Sequence, residues 1–466
     1  MTDEVRKASD AVSEMAKHWP LVRALMGGTS AMRAAGKTFL PQWPNEENNS
    51  YDARLAVSTL YPAYSQTVRV LAGKPFSKPL QLGEDVPARI QEFSENIDLE
   101  GRNLHAFAGD LMVDILSAGV SGVLVDFPPA QGVRTRAEEL AAGLRPYWKR
   151  YPIGTVLGWK SQRVAGVVTL MQLRLLETER EDDGEFGQKT IEQVRVLEPG
   201  RWRTFRKVAN AAGREEWQMH AEGATTLQSI PFVFCYGQRT GFGTSAPPLI
   251  ELAHQNIEHW QSKSDQQNIL HVARVPILAI IGADGEVEIT VGASSAVKLP
   301  QGADMKFVEH TGAAIQSGRD DLKDIEQRML QTGAELLVRK EGAAVTATQI
   351  ASEGEGNKCA LQRMAEDLED ALDQALQLTA QWIGEAEGGH VALHKDFGAE
   401  TLSEASASLL IELQAAGIIS KKRVILESQR RGILSSDIDA EDELNDVSQD
   451  GPPLGKIDDP AAGGAT

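Results

Sequence analysis

Cysteine is nearly absent from this chain: its 466 residues include only Cys235 and Cys359, with no Cys-x-x-Cys pair and no clustered histidine beside either. A disulfide scaffold and a structural zinc site are therefore not expected, and both thiols are read as free. Long apolar runs are missing too. No window reaches the roughly 18 uninterrupted apolar residues of a membrane-spanning helix, and the opening MTDEVRKASDAVSEMAKHW lacks the apolar core of a secretion signal. A soluble protein made in a cytoplasm is the expectation. Positive charge is in deficit as well, with 47 Lys and Arg against 66 Asp and Glu and a formal net charge of -19. Tight nonspecific binding to duplex DNA needs a basic surface that releases phosphate counterions, so it is not expected.

The common catalytic motifs are also missing. There is no G-x-x-x-x-G-K-[ST] phosphate loop, no H-E-x-x-H and no G-x-S-x-G, so ATP-motor, zincin and serine-hydrolase chemistry lose their usual machinery. His254 and His259 stand five residues apart, the wrong spacing for a shared helical face, and read as structural or interface residues. Two carboxylate sets could be proposed for metal-dependent nuclease chemistry: Asp320, Asp321, Asp324 and Glu326, and Asp437, Asp439, Glu441, Asp442 and Glu443. The first has a simpler reading as a helix amino terminus, where acids suit the dipole, and the second as a flexible acidic tail. No catalytic residue, metal or cofactor is expected. Lys421, Lys422, Arg423, Arg430 and Arg431 form the densest basic patch and read as a solvated helix end, with contact to a protein or to DNA phosphate as the alternative.

What is present is enough apolar residue, 42%, for real cores in two to four domains. Residues 1–50 read as a peripheral arm of short amphipathic helices followed by a Pro/Asn loop. Tyr51, Leu55, Leu60, Tyr64, Val68 and Leu71 recur at helical spacing, closed by Gly73, Pro75 and Pro79. Leu104, Phe107, Leu111, Ile115 and Leu116 form a helical stripe, and Val120, Val123, Leu124 and Val125 then suit a strand ending at Pro128. Between Tyr151 and Phe234 strand signals dominate, with turns at Asp182–Gly184 and at Pro199–Gly200, and one antiparallel sheet is the economical account. Arg174, Glu177, Glu179 and Arg180 read as its solvated face.

From Pro247 a long helix begins, unusually rich in Gln, Asn, Ser and His, followed by short strands (ILAII, EVEITV, AVKLP, MKFVEH) read as a small protruding module. A second helix starts near Ala313 with Leu322, Ile325, Met329, Gly333 and Leu336 on one stripe. Residues 341–357 are rich in glycine and small polar residues. The strongest helix follows, with Leu361, Met364, Leu368, Leu372, Ala375, Thr379 and Trp382 as its buried line and Glu366, Asp367, Glu369, Asp370 and Asp373 on the remaining surface. Two further helices lie in 403–417 and 421–431, with Ser420 as a cap, before a tail from Asp437 expected to be disordered.

Several phrases, in this order, resemble the portal proteins of tailed bacteriophages: YDARLAVSTLYPAYSQTVRVLAGKPFSKP, AGVSGVLVDFP, IPFVFCYG with APPLIELAHQNIEHWQS, LPQGADMKFVEH and DLKDIEQRMLQTGAELL. They span residue 51 to about 340, and 403–432 resembles the crown end of that family. The resemblance implies an α+β protomer with an arm (1–50), a wing (51–247), stem helices (248–273 and 313–340) and a strand-containing clip (274–312). It further implies a tunnel loop (341–357), a long helix returning to the wing (358–399), a helical crown (400–436) and an acidic tail (437–466). It also implies a homo-oligomeric ring, dodecameric in the family's common form, at one vertex of a virion capsid. The expected partners are the large terminase, which hydrolyses ATP in packaging, a major capsid or scaffold protein, a neck or tail adaptor, and double-stranded DNA passing through without tight binding. Glu341, Thr346, Gln349, Glu353, Glu355, Asn357, Lys358, Glu366 and Asp370 are the candidates to face the channel. A metal-dependent nuclease and a non-enzymatic scaffold or adaptor stand as the alternatives.

Overall fold

The computed structural model describes residues 3–128, 138, 143–152, 154–209, 213–273, 277–281, 304–308, 313–337, 358–395, 414, 420–430 and 442–445. The chain divides into two units, Met1–His394 and Lys395–Thr466. Helices and antiparallel strands are segregated along the first, which makes it mixed α and β.

Helices α1 (Asp10–Met15), α2 (Trp19–Met26) and α3 (Gly28–Ala35) open the chain. The expectation of a peripheral arm is corrected here. Leu21, Val22 and Leu25 share one face of α2, and with Trp19 and Met32 they are buried. Helix α2 packs on α3 and on three helices further along the chain, so these residues belong to the core.

The single helix expected from Tyr51 to Leu71 is two, α4 (Asn48–Val57) and α5 (Ala63–Gly73). Pro62 explains the break, because it lacks an N–H and disfavours helical backbone in the residue before it. Short strand β1 (Gln81–Leu82) and helix α6 (Ala88–Ser94) lead to α7 (Leu104–Ala118). The Asn103 side chain caps α7 by accepting from the Ala106 N–H at 2.9 Å. Gly119 ends it with a φ of 90°, and a Cβ there would stand 2.6 Å from the Ala246 backbone.

The strands are β2 (Val120–Asp126), β3 (Tyr147–Tyr151), β4 (Val156–Val164), β5 (Val167–Asp183), β6 (Gly187–Glu198), β7 (Arg201–Ala209), β8 (Glu215–Ala224) and β9 (Phe232–Tyr236). They make two sheets where the sequence led us to expect one: β4 to β8 in sequential order, and β3-β2-β9. The segment IPFVFCYG joins the second because it pairs with β2, Val123 opposite Val233. Strand β2 is buried at every position because both its faces are covered. Val120 and Leu124 meet Leu173, Leu175 and Leu197 of the larger sheet. Val125 and its cross-strand neighbour Trp148 turn the other way, toward the helices. The result is three layers, sheet on sheet on helix.

A hairpin, β10 (Gln238–Gly241) and β11 (Thr244–Ala246), leads into α8 (Ile250–Ala273). Strands β12 (Ile277–Ile281) and β13 (Asp304–Val308) pair antiparallel, and α9 (Ala313–Ala334) returns along α8. Of the predicted small strands, EVEITV and AVKLP lie outside the described residues. Helix α10 (Ala360–Ile383) packs on β2 and β9, and β14 (Val391–Ala392) pairs with β1. In the second unit, α11 (Lys421–Arg430) is capped by Ser420, whose Oγ accepts from the Arg423 N–H at 3.2 Å. A helical turn spans 442–445 in the expected tail. Among the described residues no helix is long and apolar enough to cross a membrane.

Candidate functional site

Two surfaces matter here: the acidic helix α10 and its start, which hold the described channel candidates, and the polar seam between α8 and α9. In α10, Leu361, Leu368, Leu372, Ala375 and Thr379 form the buried line as the periodicity predicts, joined by Leu376 and Ile383. The five clustered acids divide. The Glu369 carboxylate is buried and accepts from the Leu393 N–H at 2.5 Å, and Asp373 accepts from the Val391 N–H at 2.8 Å. These two hold the returning strand β14, so they are not part of an open acidic wall. Glu366 pairs with Lys358 at 2.8 Å. Asp367 and Asp370 are exposed, and together with Arg239 they edge a cleft against β9. Partial desolvation against the cleft wall, then the neighbouring Asp370 charge, pushes the Asp367 carboxyl above its ordinary range although the residue as a whole is exposed.

Of the channel candidates, then, Lys358, Glu366 and Asp370 lie on the described start and second to third turns of α10. Glu341, Thr346, Gln349, Glu353, Glu355 and Asn357 lie outside the described residues. Cys359 precedes the helix as its cap, its N–H bonded to the Gln362 side-chain oxygen at 2.9 Å.

The seam between α8 and α9 is polar. The amide-rich middle of α8 is largely taken up inside the protomer: Asn256, His259, Ser264 and Gln266 are buried. Each has a specific partner. The Asn256 side chain accepts from the Tyr64 N–H at 3.0 Å and donates to the Tyr61 carbonyl at 2.9 Å. His259 Nε2 lies 3.2 Å from the Glu326 carboxylate, and burial holds its imidazole below the ordinary value although Glu326 opposes this. Gln255 donates to Thr332, and Gln266 donates to the Ile315 carbonyl at 2.8 Å. A Cβ on Gly318 would stand 2.2 Å from the Gln266 side chain, so the glycine permits that closeness. Arg54 of α4 anchors the base of the seam. Its guanidinium pairs with buried Glu46 at 2.8 Å, reaches Ser264, and stacks 4.1 Å from the Trp43 ring.

The carboxylates proposed for metal chemistry are not at a helix start. Helix α9 begins at Ala313, so Asp320, Asp321 and Asp324 sit on its exposed second to fourth turns, with Asp320 bonded to Gln316 and Lys323. Glu326 is committed to His259. Among the described residues no group of three His, Cys, Asp or Glu is placed to hold a metal ion. His254 is exposed. Asp442 and Glu443 fall in the 442–445 turn, and Asp437, Asp439 and Glu441 lie outside the described residues.

One cluster was misread from sequence. Glu177, assigned to a solvated face, is buried between the two sheets. It accepts from Lys149 at 3.0 Å, from Gln193 at 2.8 Å and from the Tyr151 hydroxyl, while Arg195 bonds bidentately to Asp126 at 2.5 and 3.0 Å. Burial raises the Glu177 carboxyl, but Arg195 and Lys149 outweigh it and hold the group below its ordinary range. Strand parity carried the signal, since Glu177 shares its face with Leu173 and Leu175. Arg174 is also occupied, donating to the carbonyls of Glu4, Val5 and Lys7.

The profile of a domain of unknown function (DUF4055) matches residues 248–383, from the start of α8 to the end of α10. No curated protein matches the chain. Among solved structures, a chain in the virion of a native gene transfer agent particle is similar at 13% identity and a TM-score of 0.41, covering 78% of this chain and 89% of that one. A chain in the neck of the native particle, computed with C12 symmetry, is similar at 14% identity and a TM-score of 0.39 over 78% of this chain and 89% of that one. A chain in the neck of the empty particle, computed with C6 symmetry, gives 14% and 0.38 over 79% and 90%.

Proposed function

We propose that this chain is the protomer of a portal-type ring that surrounds double-stranded DNA at a capsid vertex and performs no bond-making itself. The observation that carries the reading is the helix pair α8 and α9. At 1.5 Å per residue, the 24 residues of α8 run about 36 Å. One side of it is buried in the body through Asn256, His259, Trp260, Ser264 and Gln266, but no described side chain of α8 beyond Gln266, and none of α9 from Gln316 to Asp324, is buried. A two-stranded ladder, β12 with β13, joins the far ends. A polar pair leaving its own core in this way is suited to lie beside copies of itself, one surface meeting a different surface of the neighbour, as ring closure demands.

The acidic balance supports passage and not capture. A net charge of -19 repels phosphate, so duplex slides past with few counterions released. The large terminase, a capsid or scaffold protein, and a neck or tail adaptor are the partners in this reading, and the virion is its location. Electron micrographs of the purified chain should show closed rings with an axial hole, and gel-shift titration with linear duplex should show weak binding. Compact monomers under every assembly condition, or salt-resistant DNA binding, would sink the proposal.

A further inference from the structure

The cleft between α10 and β9 has no part in the reading above. It encloses about 260 Å³, is floored by Phe234, Tyr236 and Phe242, and is edged by Asp367, Asp370 and Arg239. Arg239 already stacks 4.7 Å from the Tyr236 ring, and the two carboxylates leave the rim with a net negative charge. An aromatic floor with an acidic edge suits a side chain whose stem is aliphatic and whose end is cationic.

The same chain carries a surface of that chemistry. Strands β4 and β5 meet in a two-residue turn, Ala165–Gly166, and the ribbon end pairs Val164 with Val167 on one face and Arg163 with Val168 on the other. Val167 is 67% exposed, Val164 49% and Val168 39%. Lys160 and Arg163 beside them are exposed, with no ion pair among the described residues. An apolar ribbon end of this kind, on an edge strand, is normally covered.

We propose that the β4–β5 ribbon end of one copy seats in the α10 cleft of the next, its valines on the aromatic floor and its Lys160 and Arg163 against Asp367 and Asp370. This rests on the ring reading and supplies it with a contact: two different surfaces of one chain make a head-to-tail interface. Asp370 then serves the junction between subunits and does not face the channel.

The test uses the full chain, with mass photometry and analytical ultracentrifugation as readouts and thermal melting as the folding control. Lys160→Glu/Arg163→Glu and, separately, Asp367→Lys/Asp370→Lys should each raise the concentration needed for assembly by about tenfold or more, the scale of close interfacial charge pairs. Mixing the two variants should restore particles, because every contact in an alternating assembly then joins opposite charges. Val167→Asp, at the 67% exposed first position of β5, should dissociate the particle without lowering the melting temperature. The proposal falls if the parent forms rings and all these variants assemble like it, or if the mixture stays dissociated. If the parent never self-associates, the ring reading falls with it.

Discussion

Helices α8 and α10 are equally long, 24 residues each, and are held by different mixtures of contact: α8 buries Leu252, Ala253 and Trp260 but adds a row of polar pairings, whereas α10 relies mainly on its apolar stripe. Helix α10 buries a continuous stripe of Leu and Ala against the three-stranded sheet, worth about 1.5–3 kcal/mol per fully buried leucine, with two hydrogen bonds, through Thr379 and Trp382, fastening it there. Helix α8 buries amides, a hydroxyl and an imidazole, and each hydrogen bond holds only in one register with α9, α5 or α4. Net, such bonds contribute about 1 kcal/mol each, yet leaving one unmade in the interior costs more. The difference teaches that α10 contributes chiefly to stability, while α8 carries more of the contacts that set register. A one-turn slide would change little for apolar contacts but would break every polar pairing of the seam.

Leu372→Ala is expected to bring the largest loss. This side chain is fully buried, and its truncation should lower the unfolding free energy by about 2–5 kcal/mol in urea titrations. Asn256→Ala should cost less, about 1–3 kcal/mol, because it strands the Tyr64 N–H and the Tyr61 carbonyl without opening a large cavity. A loss from Asn256→Ala equal to that from Leu372→Ala would break the comparison. The smallest effect is one of pH. With the folded His259 imidazole depressed by burial, the unfolded chain binds the proton first as pH falls below about 6.5, so stability is full above that value and declines below it. Between pH 7.5 and 5.5 the parent should therefore lose more melting temperature than His259→Gln. His390, raised by its bond to Asp85, acts in the opposite sense in both proteins and cancels. An identical decline in the two would remove His259 from the seam's energetics.

Local signals were legible where one period and one punctuating residue decided the outcome. The switch from helix α7 to strand β2, the turn at Pro199–Gly200, the buried stripe of α10 and the Ser420 cap were all readable from the sequence. Pro62 is equally visible, and it divides the helix expected over 51–71 into two. What stayed hidden depends on surfaces remote in sequence. Nothing near Leu25 says that α5 and α7 will cover it. Nothing near Glu369 or Asp373 announces that the chain will return about twenty residues later to present the N–H groups of Leu393 and Val391. The membership of β9 in a separate sheet likewise follows from pairing with β2, more than a hundred residues earlier in the chain.

Two indoles fasten α10 to the sheet beneath it. Trp148 of β3 donates to the Thr379 hydroxyl at 2.9 Å, and Trp382 donates to the Val125 carbonyl at 2.9 Å. Each indole thus spends its single polar hydrogen across the boundary between helix and sheet, one from each side of it. Undocking of the helix would strand both, so the indole N–H resonances of these two among the eight tryptophans would mark, without any added label, whether the segment is seated.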